Sequence, residues 1–290
     1  MVTETKHTAP RAQIWQLRSR TLSFSQLPML MGIVNITPDS FSDGGRYYSR
    51  QLAVEHALRL EDAGAAIIDI GGESTRPYSE PVSVAQELER VVPILESLNG
   101  RVAAAISIDT SKAAVAEAAM ALGAEIINDV TGLEGDPRMP EVAARSNAGV
   151  CAMHMLGTPQ TMQNDPHYGD VVEEIANYLA ARDRALIQCG IAPERICLDP
   201  GIGFGKSHEH NWTLLRQCDR FHSLGRPLLV GHSRKGFIRK LSNEKTGDLT
   251  AGSVGVALAL ARRGIQILRV HDVQATHDAL ICFAASGGLE

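Results

Sequence analysis

Asn35, Asp109, Asn128, Asp199, Lys235, Arg269 and His271 each stand where a short apolar run gives way to polar, turn-forming residues. Asn35 is the clearest case: in Met31-Gly-Ile-Val-Asn-Ile-Thr-Pro-Asp-Ser-Phe-Ser-Asp-Gly-Gly45 a buried-strand pattern stops abruptly. A lone strand-end Asp or Asn ordinarily caps a helix or fixes a turn. Seven such residues in one chain imply more, because buried carboxylates, amides and cations need partners and a bound ligand can provide them. The residue types limit that ligand. Two carboxylates, an amide and a lysine offer acceptors and donors to the edge of a flat nitrogen heterocycle. Arg269 and His271, two residues apart and so on one face of a strand, suit phosphate oxygens. The combination predicts a heterocycle that carries phosphate.

Other motifs leave alternatives open. Gly201-Ile-Gly-Phe-Gly-Lys206 has the look of a phosphate cradle but lacks Gly-x-x-x-x-Gly-Lys-Ser/Thr spacing, so it reads as a loop that lets backbone approach a ligand. Thr37 to Gly45 and Glu73 to Pro81 are longer than ordinary strand-to-helix turns and are either lids or plain surface loops. His208 and His210 flank Glu209 with no third metal ligand at a suitable spacing, which reads as a solvated helix start.

These residues need a scaffold that brings them together. Apolar runs end in polar groups at Asn35, Ile67-Ile-Asp-Ile-Gly-Gly-Glu73, Ala105 to Asp109, Ile126 to Asp129, Val150 to His154, Ile196 to Asp199, Leu228 to Lys235 and Ile267 to Asp272, which makes eight. Short apolar runs bounded by turn signals read as strands buried on both faces. Between them lie amphipathic stretches at Gln51 to Ala63, Val84 to Leu98, Ala113 to Leu122, Val171 to Gln188 and Gly252 to Arg263. Several end in a glycine suited to a helix C-terminus, at Gly64, Gly123 and Gly264. The rhythm predicts an α/β fold, a (β/α)8 TIM barrel, whose chemistry belongs at the C-terminal ends of the strands. Ile14 to Phe24 alternates apolar and polar residues and predicts a short β-hairpin closing the barrel bottom, within an N-terminal extension over 1–28.

The 290 residues, 44% of them hydrophobic, fit one barrel domain over 1–290. A net charge of −5 with no basic stripe argues against nucleic acid as a partner. Five scattered cysteines with no Cys-x-x-Cys argue against a disulfide framework or zinc site and for a reducing compartment. No apolar run of 18 residues and no signal-peptide pattern occurs, so the expectation is a cytoplasmic protein with no membrane partner.

At this level of detail the chain resembles the dihydropteroate synthases from end to end. The segments that carry the resemblance are Met31 to Gly45, Asp69-Ile-Gly-Gly-Glu-Ser-Thr-Arg-Pro77, Ser107-Ile-Asp-Thr110, Ile127-Asn-Asp-Val130, Met153-His-Met155 with Gly157-Thr-Pro159, Leu198-Asp-Pro-Gly-Ile-Gly-Phe-Gly-Lys206, Ser233-Arg-Lys235 and Arg269-Val-His-Asp272. The resemblance implies two small-molecule substrates, 4-aminobenzoate and 6-hydroxymethyl-7,8-dihydropterin diphosphate, joined with loss of diphosphate, with Mg2+ as cofactor and a homodimer as the assembly. It implies that Asn35 reaches the Mg2+-diphosphate and that Asp109, Asn128, Asp199 and Lys235 hold the pterin edge. It places Arg269 over the ring and, with His271, on the diphosphate. Thr75, Arg76 and Ser233 then face the aminobenzoate, and Phe41 belongs to a loop that closes on it. Asp109, Lys235, Arg269 and His271 carry the chemistry, a dissociative displacement in which Asp109 stabilises positive charge spreading into the pterin. Two other readings compete: a pterin-dependent methyltransferase, in which the Thr-Arg-Pro and Ser-Arg-Lys loops are absent, and a silent pterin-binding homologue, in which the diphosphate contacts would be lost. The sequence departs from the family pattern at Tyr78-Ser79, Leu156 and His232.

Overall fold

The structure, a computed structural model, describes residues 10–36, 45–76, 78–242 and 247–289, with side chains from residue 50 onward in the first helix. Among these residues two short strands, β1 (Ile14–Gln16) and β2 (Thr21–Ser23), pair antiparallel. Eight more, β3 (Met29–Asn35), β4 (Ala65–Gly71), β5 (Ala105–Asp109), β6 (Ile126–Asp129), β7 (Gly149–Met153), β8 (Ile196–Asp199), β9 (Leu229–Gly231) and β10 (Ile267–Val270), form one parallel sheet ordered β8-β7-β6-β5-β4-β3-β10-β9. A single bridge from Leu198 to Leu228 joins its two ends and closes the ring. The expected barrel and its hairpin are both present.

The outer helices are α1 (Gly45–Asp62), α2 (Val84–Leu98), α3 (Ala113–Ala121), α4 (Met139–Ser146), α5 (Val171–Gln188), α6 (His208–Gln217), α7 (Gly236–Ser242), α8 (Thr250–Arg262) and α9 (Val273–Ala285). Periodicity finds α2 and α5 end to end. It passes over α4, α7 and α9 and marks only the start of α6; α4 and α7 are short and α6 is polar. Local chemistry starts the long ones: Ser83 and Gln86 form a reciprocal capping box before α2, and Asp170 accepts from the backbone N–H groups of Val172 and Glu173 before α5. No helix among the described residues is long and apolar enough to cross a membrane.

Alternation along the strands stacks two layers inside the ring. The lower layer is apolar, one residue from each strand: Met31, Ile67, Ala105, Ile126, Cys151, Cys197, Leu229 and Ile267. Trp15, Leu17, Leu22 and Phe24 of the hairpin pack against it as a plug. The Trp15 indole N–H, fully buried, donates to the Arg195 carbonyl at 2.8 Å, so the plug carries no unmet donor there. Two residues further along each strand the same face carries Ile33, Asp69, Ser107, Asn128, Met153, Asp199, Gly231 and Arg269. Asn35, Gly71 and Asp109 lie one step higher still, at the rim.

Candidate active site

Arg269 organises the upper layer. Its Nε donates to Asp69 Oδ2 at 2.6 Å and its Nη2 to Asp109 Oδ2 at 2.7 Å, while Asn128 Nδ2 donates to the same Asp69 oxygen at 3.1 Å. Asp69, which sequence reading leaves unassigned, thus joins Arg269 to Asn128, while Arg269 itself holds Asp109. Asp69 lies inside the run Ile67-Ile-Asp-Ile70 and does not end a strand; the available signal is parity, two residues beyond the floor residue Ile67. Its Oδ1 and the Ser107 Oγ are buried without a hydrogen-bond partner. Asp129 shows the opposite outcome. It ends β6, yet its parity turns it away from the ring, and Oδ1 accepts from the Thr131 backbone N–H at 2.8 Å and hydroxyl at 2.7 Å, the ordinary turn-fixing use of an Asp.

Burial pushes the Asp109 carboxyl up to about 7, with Arg269 opposing and the carboxylates of Asp69, Glu87 and Asp129 reinforcing the shift. Burial alone would lower the Arg269 pKa, but Asp69 and Asp109 raise it above the ordinary range. The site therefore holds one permanent cation between two carboxyls of which one is poised near neutrality.

Asp199 closes β8 and accepts from the Gly201 N–H at 2.7 Å. Burial lifts it to about 6, opposed by that hydrogen bond and by Lys235 and Lys206. Lys235 lies beyond β9, four residues past Gly231, in a turn where Arg234 adopts a left-handed φ of 57°. Its ammonium donates to the Ile202 carbonyl and lies 4.4 Å from the centre of the Phe204 ring. Burial drives it down to about 7, with Asp199 opposing and Arg269 adding to the shift. The glycine loop between them does bring backbone into close approach, but to the protein itself. A Cβ on Gly201 would fall 1.9 Å from the His154 carbonyl oxygen and one on Gly205 2.6 Å from that of Leu156, and both glycines have positive φ, 69° and 63°. Lys206, fully inside, donates toward His154 Nδ1 at 2.9 Å and to the Phe204 carbonyl at 2.8 Å, locking this loop against the end of β7.

β10 ends at Val270, so His271 sits on the turn beyond the strand that carries Arg269, which corrects the expectation of a shared strand. Its Nδ1 lies 3.1 Å from Ser233 Oγ, and its backbone N–H donates to the same hydroxyl at 3.3 Å. Burial, then the positive charges of Arg269, Arg234 and Arg76, pushes the imidazole down to about 4. At neutral pH His271 is thus an uncharged hydrogen-bonding ring inside a cluster of guanidinium groups. Arg234 makes a forked pair with Asp272, Nε to Oδ2 at 2.9 Å.

Thr75 and Arg76 belong to the loop after β4. Thr75 lines a cavity of 260 Å³ together with Glu73, Asp109, Lys112 and, from the loop after β7, Thr158 and Gln160. Tyr78, the departure from the family pattern, has φ 64° and stays exposed, while its backbone N–H donates to the Pro159 carbonyl at 3.1 Å. The larger side chain is therefore accommodated outside the cavity. Asn35 stands at the rim, its Oδ1 3.7 Å from where a Cβ on Gly71 would lie, beside Asp109. Phe41 and the expected lid from Thr37 to Gly45 lie outside the described residues, except for Gly45, which opens α1. His208, Glu209 and His210 form the first turn of α6, where His210 completes a capping box with Ser207 as a helix start requires.

A family model described as "Pterin binding enzyme" matches residues 31–271. The dihydropteroate synthase of Escherichia coli (strain K12) is 47% identical over 253 residues, covering 87% of this chain and 89% of that protein. Among solved structures, Xanthomonas albilineans dihydropteroate synthase with 4-aminobenzoic acid superposes with a TM-score of 0.88 at 44% identity, over 95% of this chain and 98% of that one. The same species' enzyme in complex with 7,8-dihydropteroate superposes with a TM-score of 0.84 at 42% identity, over 96% and 99%.

Proposed function

The chain belongs to the dihydropteroate synthase family of pterin-binding enzymes, and from that premise we propose how its barrel mouth divides the work. It is a transferase that condenses 6-hydroxymethyl-7,8-dihydropterin diphosphate with 4-aminobenzoate to give 7,8-dihydropteroate and diphosphate, a step of folate biosynthesis. The carbon–oxygen bond to the diphosphate breaks with its electron pair leaving on oxygen, the arylamine nitrogen forms the new carbon–nitrogen bond, and the amine releases a proton.

Asp109, Asn128, Asp199 and Lys235 hold the pterin edge. The reading rests on one observation above all, the polar layer in which Arg269 ties Asp69 and Asp109 together directly above an apolar floor. A flat ring stacked on such a layer finds acceptors in Asp199 and Asp109 and donors in Asn128 and Lys235, without a buried mismatch. Arg269 covers the ring and faces the diphosphate together with His271. His271, whose pKa burial and the nearby arginines lower in the ligand-free protein, serves there as a hydrogen-bonding ring, and the fixed charge comes from the guanidinium groups around it. Asp109, held beside Arg269, stabilises positive charge that spreads into the pterin as the leaving group departs. An arylamine attacking a cationic carbon needs no strong base. Thr75, Arg76 and Ser233 meet the aminobenzoate, with Phe41 completing its pocket.

Asn35 gives the mouth one neutral oxygen ligand, and the described residues contain no cluster of three or more acidic, His or Cys side chains able to cage a metal. Asn35 would then hold Mg2+ brought in with the diphosphate through its side-chain oxygen. When bound, the ion neutralises charge on the leaving group. A homodimer and a cytoplasmic setting belong to the same proposal, and five unpaired cysteines fit a reducing compartment.

The test is direct. The chain is mixed with pterin diphosphate, labelled aminobenzoate and Mg2+, with and without Arg269→Ala, while light scattering reports the assembly. Labelled dihydropteroate from the parent chain and a loss with the variant are expected. Full product from Arg269→Ala would remove Arg269 from the chemistry.

A further inference from the structure

The loop after β4 is fastened at its neck by a charged bridge. Glu73 opens the loop and also closes it, its Oε1 accepting from the Val82 backbone N–H at 2.9 Å. Its other oxygen accepts from Lys112 Nζ at 2.8 Å, and the same ammonium donates to Glu87 Oε2 of α2 at 2.5 Å. Arg90 of α2 donates to the Gly72 carbonyl at 2.7 Å, one residue before the neck. On the far side of the loop Gln160 Nε2 donates to the Ser79 carbonyl at 3.0 Å.

The bridge is costly for a contact with only a structural purpose. Glu87 is fully buried and its Oε1 has no partner, so its charge depends on Lys112. An apolar pair of the same size would pack there without that dependence. Lys112 lies three residues beyond Asp109 and lines the same cavity as Thr75, so it connects the end of β5 to the neck of the neighbouring loop. Its side chain and that of Glu73 are each about one-fifth exposed, 19% and 18%, dry enough for the pair to be directional.

We propose that Lys112 is a positioning residue for the second substrate: by bridging Glu73 to Glu87 it holds the neck of the 73–82 loop in register with β5, and so sets Thr75 and Arg76 over the mouth where the aminobenzoate lies. The inference rests on the reading above that this loop meets the aminobenzoate. Of the pterin residues, Asp109, Asn128 and Asp199 lie on strands and Lys235 on the turn after β9, and none is hydrogen-bonded to Lys112.

Lys112→Met alone would strand the Glu87 charge and could fail to fold, so the test pairs Lys112→Met with Glu87→Gln and compares it with Glu87→Gln alone. The paired variant should raise the KM for aminobenzoate about tenfold, as a misplaced contact loop does, and leave the KM for pterin diphosphate within about twofold. Amide hydrogens of the non-proline residues over 73–82 should exchange faster than in Glu87→Gln, and Lys112→Arg should restore much of both effects. Equal exchange and equal KM in the paired and single variants overturn the proposal, as does a matched rise in both KM values, which would signal general loosening. Arg76→Ala separates the two levels. If it leaves the aminobenzoate KM unchanged, the assignment of the loop to that substrate is wrong, while exchange over 73–82 still decides whether Lys112 holds the neck.

Discussion

The floor and the mouth of the barrel come from the same strands, only two residues apart along the chain, yet they are held by different forces. At the floor, Met31, Ile67, Ala105, Ile126, Cys151, Cys197, Leu229 and Ile267 meet the hairpin plug, and the plug's one buried donor, the Trp15 indole, has its acceptor. Nothing there is left wanting except close packing. At the mouth, Asp69 and Ser107 each keep a buried oxygen without a partner, and Asp109, Asp199 and Lys235 sit far from their ordinary protonation ranges. A folded protein tolerates such a layer when a ligand completes it. The floor fixes the shape of the ring, and that rigidity lets the layer above remain unsatisfied until substrate arrives.

Separating stability from function tests this contrast most sharply. Trp15→Ala at the floor should cost about 3–5 kcal/mol of folding stability, measured by denaturant unfolding, while the KM values of the remaining folded fraction stay near those of the parent. A change in KM without a stability loss would break the division between floor and mouth. Arg269→Lys should behave in the reverse sense. It keeps the charge but loses the planar fork that spans Asp69 and Asp109, so turnover should fall by about 10²-fold, close to the loss in Arg269→Ala. Near-normal steady-state turnover of the lysine variant would reduce Arg269 to a packing residue. Asp199→Asn swaps an acceptor for a donor against the pterin edge and should weaken pterin binding by about 1–3 kcal/mol in calorimetry. Unchanged affinity would take Asp199 out of the site.

The smallest effect is in the pH dependence of the ligand-free protein. Asp199 has a folded pKa of about 6 and Asp109 of about 7, both above the ordinary 3.8, so the folded state binds these protons more tightly than the unfolded state does. Their contribution to stability is fully present below about pH 4 and is lost as the pH rises through 6 to 7. Replacing Asp199 by Asn should therefore flatten the thermal stability profile between pH 4 and 7 relative to the parent. Parallel profiles would show that the carboxyl is not held in a desolvated layer.

Strand parity explains what could be read ahead of the structure. Asn35, Asp109, Asn128, Asp199 and Arg269 follow apolar residues of matching parity, so their convergence is legible once a barrel is inferred. Asp69 obeys the same parity but sits within an apolar run, which hides it, while Asp129 ends a strand and faces the other way. Ending a strand is thus a weaker signal than standing two residues above a floor residue. Lys112, Glu73 and Glu87 were not recognisable as one group, since 14 to 39 residues separate them along the chain.

The barrel, its plug and the chemical kinds of group at the mouth are written in local order, because periodicity and turn residues act over a few neighbours and repeat along the chain. Pairing was decided only by the tertiary structure. It chose which carboxylates share Arg269, it left His271 neutral among three guanidinium groups, and it gave Lys112 two glutamates from different segments. Those outcomes depend on burial and on distances of a few ångströms between residues remote in sequence, and both exist only after the ring has closed.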